Sequence, residues 1–321
     1  MSYNENLSKA RVNKNDEFYT MYEDIEKEMS FYQSHFKGKV VYCPCDNPKL
    51  SNFTKYFRDN FEKLGIKRLV STCYPQGIME VVDNEGVKTL QLEGDGDFRS
   101  EECKRVLNNC DVVVTNPPFS LFLEMVGLLM SEGKDFILLG NLSSCFCKQI
   151  FPFIKKGKIK IGYSITGGGR WFEVNDDYPL EAANCRVIDG IRQIRVKGIR
   201  WFSTFDNDLG IKKRPLPFTE TYNYKKFDNY DAYNIDNIKE LCYDCLDKIG
   251  VPITIFDYDY SDYEIIGAFK RFANLDEENG FIIGDKVKCH SNNGKEMMSC
   301  GAVVDGKEKY TRIIIQRRTT V

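Results

Sequence analysis

Apolar positions along the first half of this chain come in short continuous runs separated by stretches with helical spacing. Residues 38–43, Gly-Lys-Val-Val-Tyr-Cys, read as a short buried strand. Pro44 and Pro48 then force a loop, and Ser51 or Asn52 is placed to cap a helix. Phe53, Tyr56, Phe57 and Phe61 recur at helical spacing, and Gly65 stops that helix before a second strand over Lys67 to Cys73. Asp83-Asn84-Glu85-Gly86 offers a hairpin turn between Val81-Val82 and the run beginning at Val87, with Thr89 to Glu93 as the third strand. Helices are expected over Glu101 to Asn109, Leu121 to Ser131 and Phe146 to Lys155, with strands over Asp111 to Thr115 and Lys134 to Leu139. The β-branched run Asp111-Val112-Val113-Val114-Thr115 suits a strand covered on both faces. This alternation predicts an α/β fold with a doubly wound sheet.

The rhythm changes after about residue 157. Strands are expected over Lys158 to Tyr163, Arg170 to Val174 and Gln193 to Phe205, with a glycine turn at Gly167-Gly168-Gly169. Asp206 to Asp236, rich in Asn, Asp, Tyr, Lys and Pro, reads as a boundary or surface excursion. Beyond it the pattern predicts a helix over Ile235 to Ile249 and strands over Tyr263 to Ile266, Phe281 to Lys288 and Tyr310 to Gln316. The expected organisation is a large domain over residues 1–206 and a smaller α+β unit over residues 207–321.

Composition narrows the class. No run approaches the ~18 apolar residues of a membrane helix, and Met1 to Asn15 lacks the apolar core of a signal peptide, so a cytoplasmic protein is expected. Twelve cysteines include the close pairs Cys43/Cys45, Cys145/Cys147 and Cys242/Cys245, whose spacings do not repeat as in a zinc ribbon; reduced thiols and no metal are expected. With His35 and His290 as the two histidines, chemistry built on a histidine base is disfavoured. The net charge of −2 means that any affinity for nucleic acid has to come from local Lys and Arg clusters.

Candidate chemistry is concentrated at Asn116-Pro117-Pro118-Phe119, directly after the β-branched strand. An exocyclic ring amine is a poor nucleophile because its lone pair is delocalised into the ring. Two acceptors, the Asn116 side-chain oxygen and the Pro117 carbonyl, can bind both amino hydrogens and favour a pyramidal nitrogen. Pro117 and Pro118 hold the backbone out of the ladder, and Phe119 offers a face for stacking a base. The other reading of the tetrapeptide is a turn that closes a strand.

Asn116 to Phe119 resembles the Asn/Asp-Pro-Pro-aromatic motif of amino-group methyltransferases. Asn15-Asp16-Glu17-Phe18-Tyr19-Thr20 resembles the Phe-Tyr-Thr cofactor motif that precedes the catalytic domain in adenine-specific DNA methyltransferases of the gamma arrangement. Val41 to Pro48, Ser51-Asn52-Phe53, Gly198 to Phe202, Gly250 to Thr254 and the Tyr310 to Ile315 tail resemble the EcoRI-type adenine-specific DNA methyltransferase family, so the likeness spans most of the chain. The resemblance implies a Rossmann-like methyltransferase sheet with a C-terminal target-recognition unit, S-adenosyl-L-methionine as cofactor, and double-stranded DNA as partner. It also implies N6 methylation of a flipped adenine, and a restriction endonuclease as partner in function only, with no stable protein partner. Phe18, Tyr19 and Thr20 would line the methionine end of the cofactor, with Cys43, Pro44 and Asp46 in the loop after the first strand. Asp97 and Phe98 would hold its adenine, and Asn116 would adjoin it. Two departures stand out: Cys43-Pro44-Cys45-Asp46-Asn47-Pro48 replaces the usual glycine loop, and Cys73-Tyr74 stands where a ribose-binding acid is common.

DNA contacts are expected from Arg192, Arg195, Lys197 and Arg200, interleaved with apolar residues, and from Arg170 beside the glycine turn. A second basic group is Lys212, Lys213, Arg214, Lys225 and Lys226, with Tyr222, Tyr224 and Phe227 nearby for stacking. For the cluster from Arg192 to Arg200 a solvated strand face is the competing reading, and for the glycine turn an ordinary tight turn. Two other functions stay open: methyl transfer to RNA or to a protein glutamine, and an inactive nucleic-acid-binding module.

Overall fold

The computed structural model describes residues 18–176, 178, 184–269 and 280–318; Asn15 to Glu17 of the N-terminal motif lie outside them. The chain divides into two compact units. One comprises the described parts of Met1–Leu142 and Ile159–Ile211, the other those of Ser143–Lys158 and Lys212–Val321.

The first unit is mixed α/β. Its strands are β1 (Tyr19–Thr20), β2 (Val40–Cys43), β3 (Arg68–Cys73), β4 (Ile78–Asp83), β5 (Gly86–Gln91), β6 (Val112–Thr115), β7 (Asp135–Asn141), β8 (Lys160–Ile161), β9 (Gly169–Glu173), β10 (Cys185–Ile188), β11 (Ile191–Lys197) and β12 (Ile199–Ser203). Eight of them form one sheet in the order β5-β4-β3-β2-β6-β7-β12-β8. Its centre, β3-β2-β6-β7, is parallel, and the flanking strands pair antiparallel. Every residue of β6 is buried, as its unbroken β-branched run requires.

Helix α1 (Tyr22–Met29) precedes β2, α2 (Asn52–Asp59) and α3 (Phe61–Leu64) link β2 to β3, α4 (Glu101–Asn108) leads into β6, and α5 (Phe122–Ser131) links β6 to β7. The Ser51 hydroxyl caps α2 by accepting from Phe53 N, and α3 ends at Gly65 with φ of 62°. Phe53, Tyr56 and Phe57 of α2 join β2, β6 and β7 side chains and Trp201 in one core. The chain builds outward from β2 to β3 and then returns to β6 on the other side of β2, so the loops after β2 and β6 meet where the winding reverses.

The expected hairpin is present as β4–β5, and the strand expected over Thr89 to Glu93 is its second arm, exposed along its whole length. One expectation changes here. The expected single strand over Gln193 to Phe205 breaks at Gly198, whose φ of 74° lets β11 join a separate sheet, β1-β9-β11-β10, while β12 pairs with β7.

The second unit is built mainly of strands. A six-stranded sheet runs Lys225–Phe227, Tyr230–Asn234, Ile249–Val251, Ile313–Arg317, Tyr263–Phe269, Phe281–Ile282, and a four-stranded sheet contains Val287–His290 and Glu296–Ser299. The Asp206 to Asp236 excursion thus contributes two strands to the six-stranded sheet, and its Arg214–Pro215 pairs with Tyr258–Asp259. The helix expected over Ile235 to Ile249 is a 3-10 turn, Ile238–Glu240, followed by irregular chain. Ile235, Ile238, Leu241, Cys242 and Cys245 are all buried, so the apolar spacing is real. The backbone there bonds elsewhere, Leu241 O accepting from Thr219 N and Cys242 N donating to the Tyr224 hydroxyl, instead of closing helical turns. Likewise the helix expected over Phe146 to Lys155 shortens to α6 (Phe151–Lys155), which belongs to this second unit. The strand expected over Phe281 to Lys288 splits around Gly284, where any side chain would strike Asn229.

No helix among the described residues is long and apolar enough to cross a membrane. All twelve cysteines are free thiols, and no group of three or more His, Cys, Asp or Glu among the described residues is arranged to hold a metal ion.

Candidate active site

A cavity of about 510 Å³ opens where the winding of the large sheet reverses, within the range that small-molecule sites occupy. Of the residues expected at the cofactor, Phe18, Tyr19, Thr20, Asp46, Asp97, Phe98 and Asn116 all line it. Segments far apart in sequence are therefore brought to one wall: the N-terminal strand, the loop after β2, the turn before α4 and the end of β6.

Two side-chain amides hold β1 in place. Asn116 Nδ2 donates to Phe18 O at 2.6 Å, and Asn52 Nδ2 donates to Thr20 O at 2.8 Å. The first bond fixes the amide orientation, since a carbonyl can only accept, and leaves Asn116 Oδ1 facing away from that partner. That oxygen is buried and has no hydrogen-bond partner among the described residues. A buried amide oxygen without a donor costs about 1–3 kcal/mol, so its retention on a cavity wall points to a ligand N–H.

Asp46 is buried at the cavity floor. Ser51 Oγ donates to its Oδ1 at 2.5 Å, and Thr115 Oγ1 lies 2.6 Å from its Oδ2. Burial pushes its carboxyl up to about 7, against the opposing pull of the Ser51 and Thr115 hydroxyls. Asp97 behaves in the opposite way: the Arg99 guanidinium, 2.6 Å from Oδ2, holds its carboxyl below the usual range. Phe18 and Phe98 present aromatic surface to the same space.

Other expected residues fall elsewhere. Cys43 is enclosed in the sheet core and does not line the cavity, because side chains alternate along β2 and its turn falls on the packed face. Pro44 is buried behind the wall, where its carbonyl accepts from Thr115 Oγ1 at 2.5 Å. Pro117 is buried while Pro118 lines the cavity. Phe119 is 7% exposed and packs on Phe18, ring centres 5.6 Å apart, and on Phe172, instead of facing the cavity. The sequence reading missed Ser51, Thr115, Tyr74, Gln76 and Arg99. Ser51 carried a signal as the helix cap; Gln76, which accepts from Cys73 Sγ at 2.8 Å, carried none.

The basic residues also sort by burial. Arg195 and Lys197 are exposed on β11, and on the neighbouring β10 Arg186 stacks over Trp171 of β9 at 3.9 Å. Arg200 is 3% exposed, which removes it from any DNA-facing set; its Nη1 donates to Ile199 O. Arg192 donates to Tyr178 O at 2.7 Å, and Arg170 is half-buried beside Asp24. Lys225 and Lys226 are exposed and ion-paired with Asp305 and Asp231.

Comparison with known proteins identifies the family. The chain matches the family described as adenine-specific methyltransferase EcoRI over residues 6–85 and 76–318. It belongs to the EcoRI-type family of adenine-specific methyltransferases. Among its relatives, the type II methyltransferase M.EcoRI of Escherichia coli is 38% identical over 309 residues, 88% of this chain and 93% of that protein. The type II methyltransferase M.MpnI of Mycoplasma pneumoniae is 33% identical over 328 residues, 98% of this chain and 99% of that protein. A type II methyltransferase of Mycoplasma genitalium is 33% identical over 330 residues, 97% of this chain and 98% of that protein. No solved structure matches. Membership implies a methyl donor, and a buried carboxylate, an unpartnered amide oxygen and two aromatic rings around one cavity fit such a group.

Proposed function

We propose that the chain is a site-specific DNA methyltransferase that places a methyl group on N6 of an adenine turned out of the duplex, with S-adenosyl-L-methionine as donor. The single observation that carries this reading is Asn116 Oδ1, a buried acceptor without a partner among the described residues, on a side chain that lines a ligand-sized cavity. The reversal of winding between β2 and β6, with the cavity at that point, supports a Rossmann-like, doubly wound methyltransferase sheet. The region over residues 207–321 is assigned to target recognition.

Bound S-adenosyl-L-methionine supplies an activated sulfonium methyl, so neither a metal nor a covalent enzyme intermediate is required. The chain's own contribution is acceptance and positioning. Asn116 Oδ1 takes one amino hydrogen of the adenine, and the Pro117 carbonyl takes the other, which returns lone-pair density to nitrogen. The bond from Asn116 Nδ2 to Phe18 O holds the amide so that no rotation is needed at the moment of transfer. Phe119, wedged against Phe18 and Phe172, stiffens this anchor. Asp97 and Phe98 are assigned to the donor's adenine, and Phe18, Tyr19, Thr20 and Asp46 to its methionine end.

Duplex DNA is assigned to the exposed basic residues. Arg195 and Lys197 contact phosphate, with Arg186 and Trp171 on the same sheet. Lys225 and Lys226 exchange their exposed carboxylate partners for phosphate at little cost. The relatives' designation as type II methyltransferases supports a restriction-modification setting, with a cognate endonuclease sharing the site but forming no stable complex. Sequencing DNA from cells that express the protein tests this reading. Modified adenines in one sequence context are expected; genomic DNA with no added N6-methyladenine would overturn it.

A further inference from the structure

A proton inventory at the floor of the cavity does not balance if Asp46 is ionised. Thr115 Oγ1 lies 2.5 Å from Pro44 O and 2.6 Å from Asp46 Oδ2, both at hydrogen-bond distance. The threonine hydroxyl has one proton, and a peptide carbonyl has none. Thr115 therefore donates to only one of the two, and the other contact needs a proton from its partner. Pro44 O has no proton to give, so both contacts are fully satisfied when Asp46 Oδ2 carries a proton and donates it to Thr115, which passes its own to Pro44. Asp46 Oδ1 is already served by Ser51, whose oxygen accepts in turn from Phe53 N.

The surroundings agree with a neutral acid. Among the described residues no Lys, Arg or His forms an ion pair with Asp46. The Cys43 thiol beneath it is itself pushed well above its ordinary range by burial, so it adds no charge. Thr115 on β6 and Ser51 at the start of α2 are uncharged, and Asp46 N is tied to Thr72 O of β3 at 3.0 Å. The remaining titratable groups on the cavity wall are Tyr19, Cys45, Cys73, Tyr74 and the Asp97–Arg99 pair, in which the two charges offset each other.

We propose that Asp46 is protonated while the cavity lacks its cofactor and releases that proton to solvent when a cationic ligand enters, so that capture of the donor is coupled to loss of one proton. The balance is simple: the Oδ2–H bond breaks, the proton goes to buffer, and the resulting carboxylate faces the ligand's positive charge. Thr115 then rotates its single proton between Pro44 O and Asp46. This inference rests on the assignment of S-adenosyl-L-methionine as donor.

Titration calorimetry with S-adenosyl-L-methionine in buffers of different ionisation enthalpy counts the protons released. The wild-type protein is expected to release about one proton per ligand a unit below the apo midpoint of about 7, and its affinity to fall about tenfold for each further unit of acidification. Asp46→Asn should lose this component, leaving only the proton chemistry of the ligand's own amine, which is common to both proteins. Infrared difference spectra of the wild type alone provide a second readout: a protonated carboxyl band should disappear on ligand addition. Equal proton counts in wild type and Asp46→Asn, or no carboxyl band lost, would overturn the proposal while leaving the donor assignment intact. Failure of the wild type to bind the donor at any pH would overturn both.

Discussion

Replacing Asn116 with alanine separates a catalytic role from a structural one, because the two predict opposite balances of stability and rate. The substitution removes one hydrogen bond, Nδ2 to Phe18 O, worth about 0.5–1.5 kcal/mol net in a folded protein. It also removes the unpartnered Oδ1, whose burial costs about 1–3 kcal/mol, so the two changes offset. The folded state is expected to shift by less than about 1 kcal/mol, a few degrees in Tm for a chain of this size. Catalysis should respond far more strongly. Deleting one preorganised partner of a reacting group lowers kcat by about 100- to 1,000-fold, or roughly 3–4 kcal/mol of barrier. The assay pairs thermal unfolding with steady-state methyl transfer to duplex DNA, and adds donor affinity by calorimetry, which should change only a few-fold. A variant with normal kcat would refute the acceptor role. So would a Tm loss large enough to account for the missing activity.

Other positions give independent checks. Arg195→Ala combined with Lys197→Ala should reduce the slope of log affinity for duplex DNA against log salt by about 2, as measured by titration at several salt concentrations. An unchanged slope would remove both from the phosphate contacts. Arg200→Ala should lower thermal stability while leaving that slope alone, since the side chain is buried; a reduced slope would restore it to the DNA-facing set. Gly96→Ala places a methyl against the Cys73 carbonyl at a φ of 84°, which should shift Asp97-Phe98 and weaken donor binding; normal affinity would contradict that placement. Asp46 sets a pH dependence of stability. Its carboxyl titrates near 7 when folded and near 4 when unfolded, so the folded state binds the extra proton between those values. Its contribution is full below about pH 4 and is lost as pH rises to about 7. Denaturant titrations of the cofactor-free protein should show this fall, and Asp46→Asn should flatten it.

Much of the first unit was legible because local and tertiary demands coincide there. The run at Val112 to Thr115 has no polar side to turn outward, so it had to be an interior strand, and Asn116-Pro117-Pro118 could only follow it as a loop. Ser51 reads as a cap in the sequence and serves as one in the fold. The second unit was harder to read. Between Ile235 and Ile249 the residues Ile235, Ile238, Leu241, Cys242, Cys245 and Ile249 are buried at helix-like intervals while Tyr243 and Leu246 are exposed, yet the backbone is satisfied by Thr219 and Tyr224, partners that periodicity cannot reveal. Phe119 was misplaced for a related reason: a motif shows that an aromatic ring is present, but its direction is set by Phe18 and Phe172, which come from distant segments. Arg200 stands five residues from Arg195, an odd step that already puts it on the opposite face of an unbroken strand, and β12, paired between β7 and β8, buries it.

Purified protein incubated with duplex DNA, RNA or a protein substrate and methyl-labelled S-adenosyl-L-methionine, followed by digestion to nucleosides or amino acids, asks directly where the methyl group goes. Label in N6-methyladenine from duplex DNA, absent with Asn116→Ala, is the expected result. Label appearing in RNA or in glutamine instead, or N6-methyladenine formed equally well without the Asn116 amide, would contradict the chemistry assigned to this cavity.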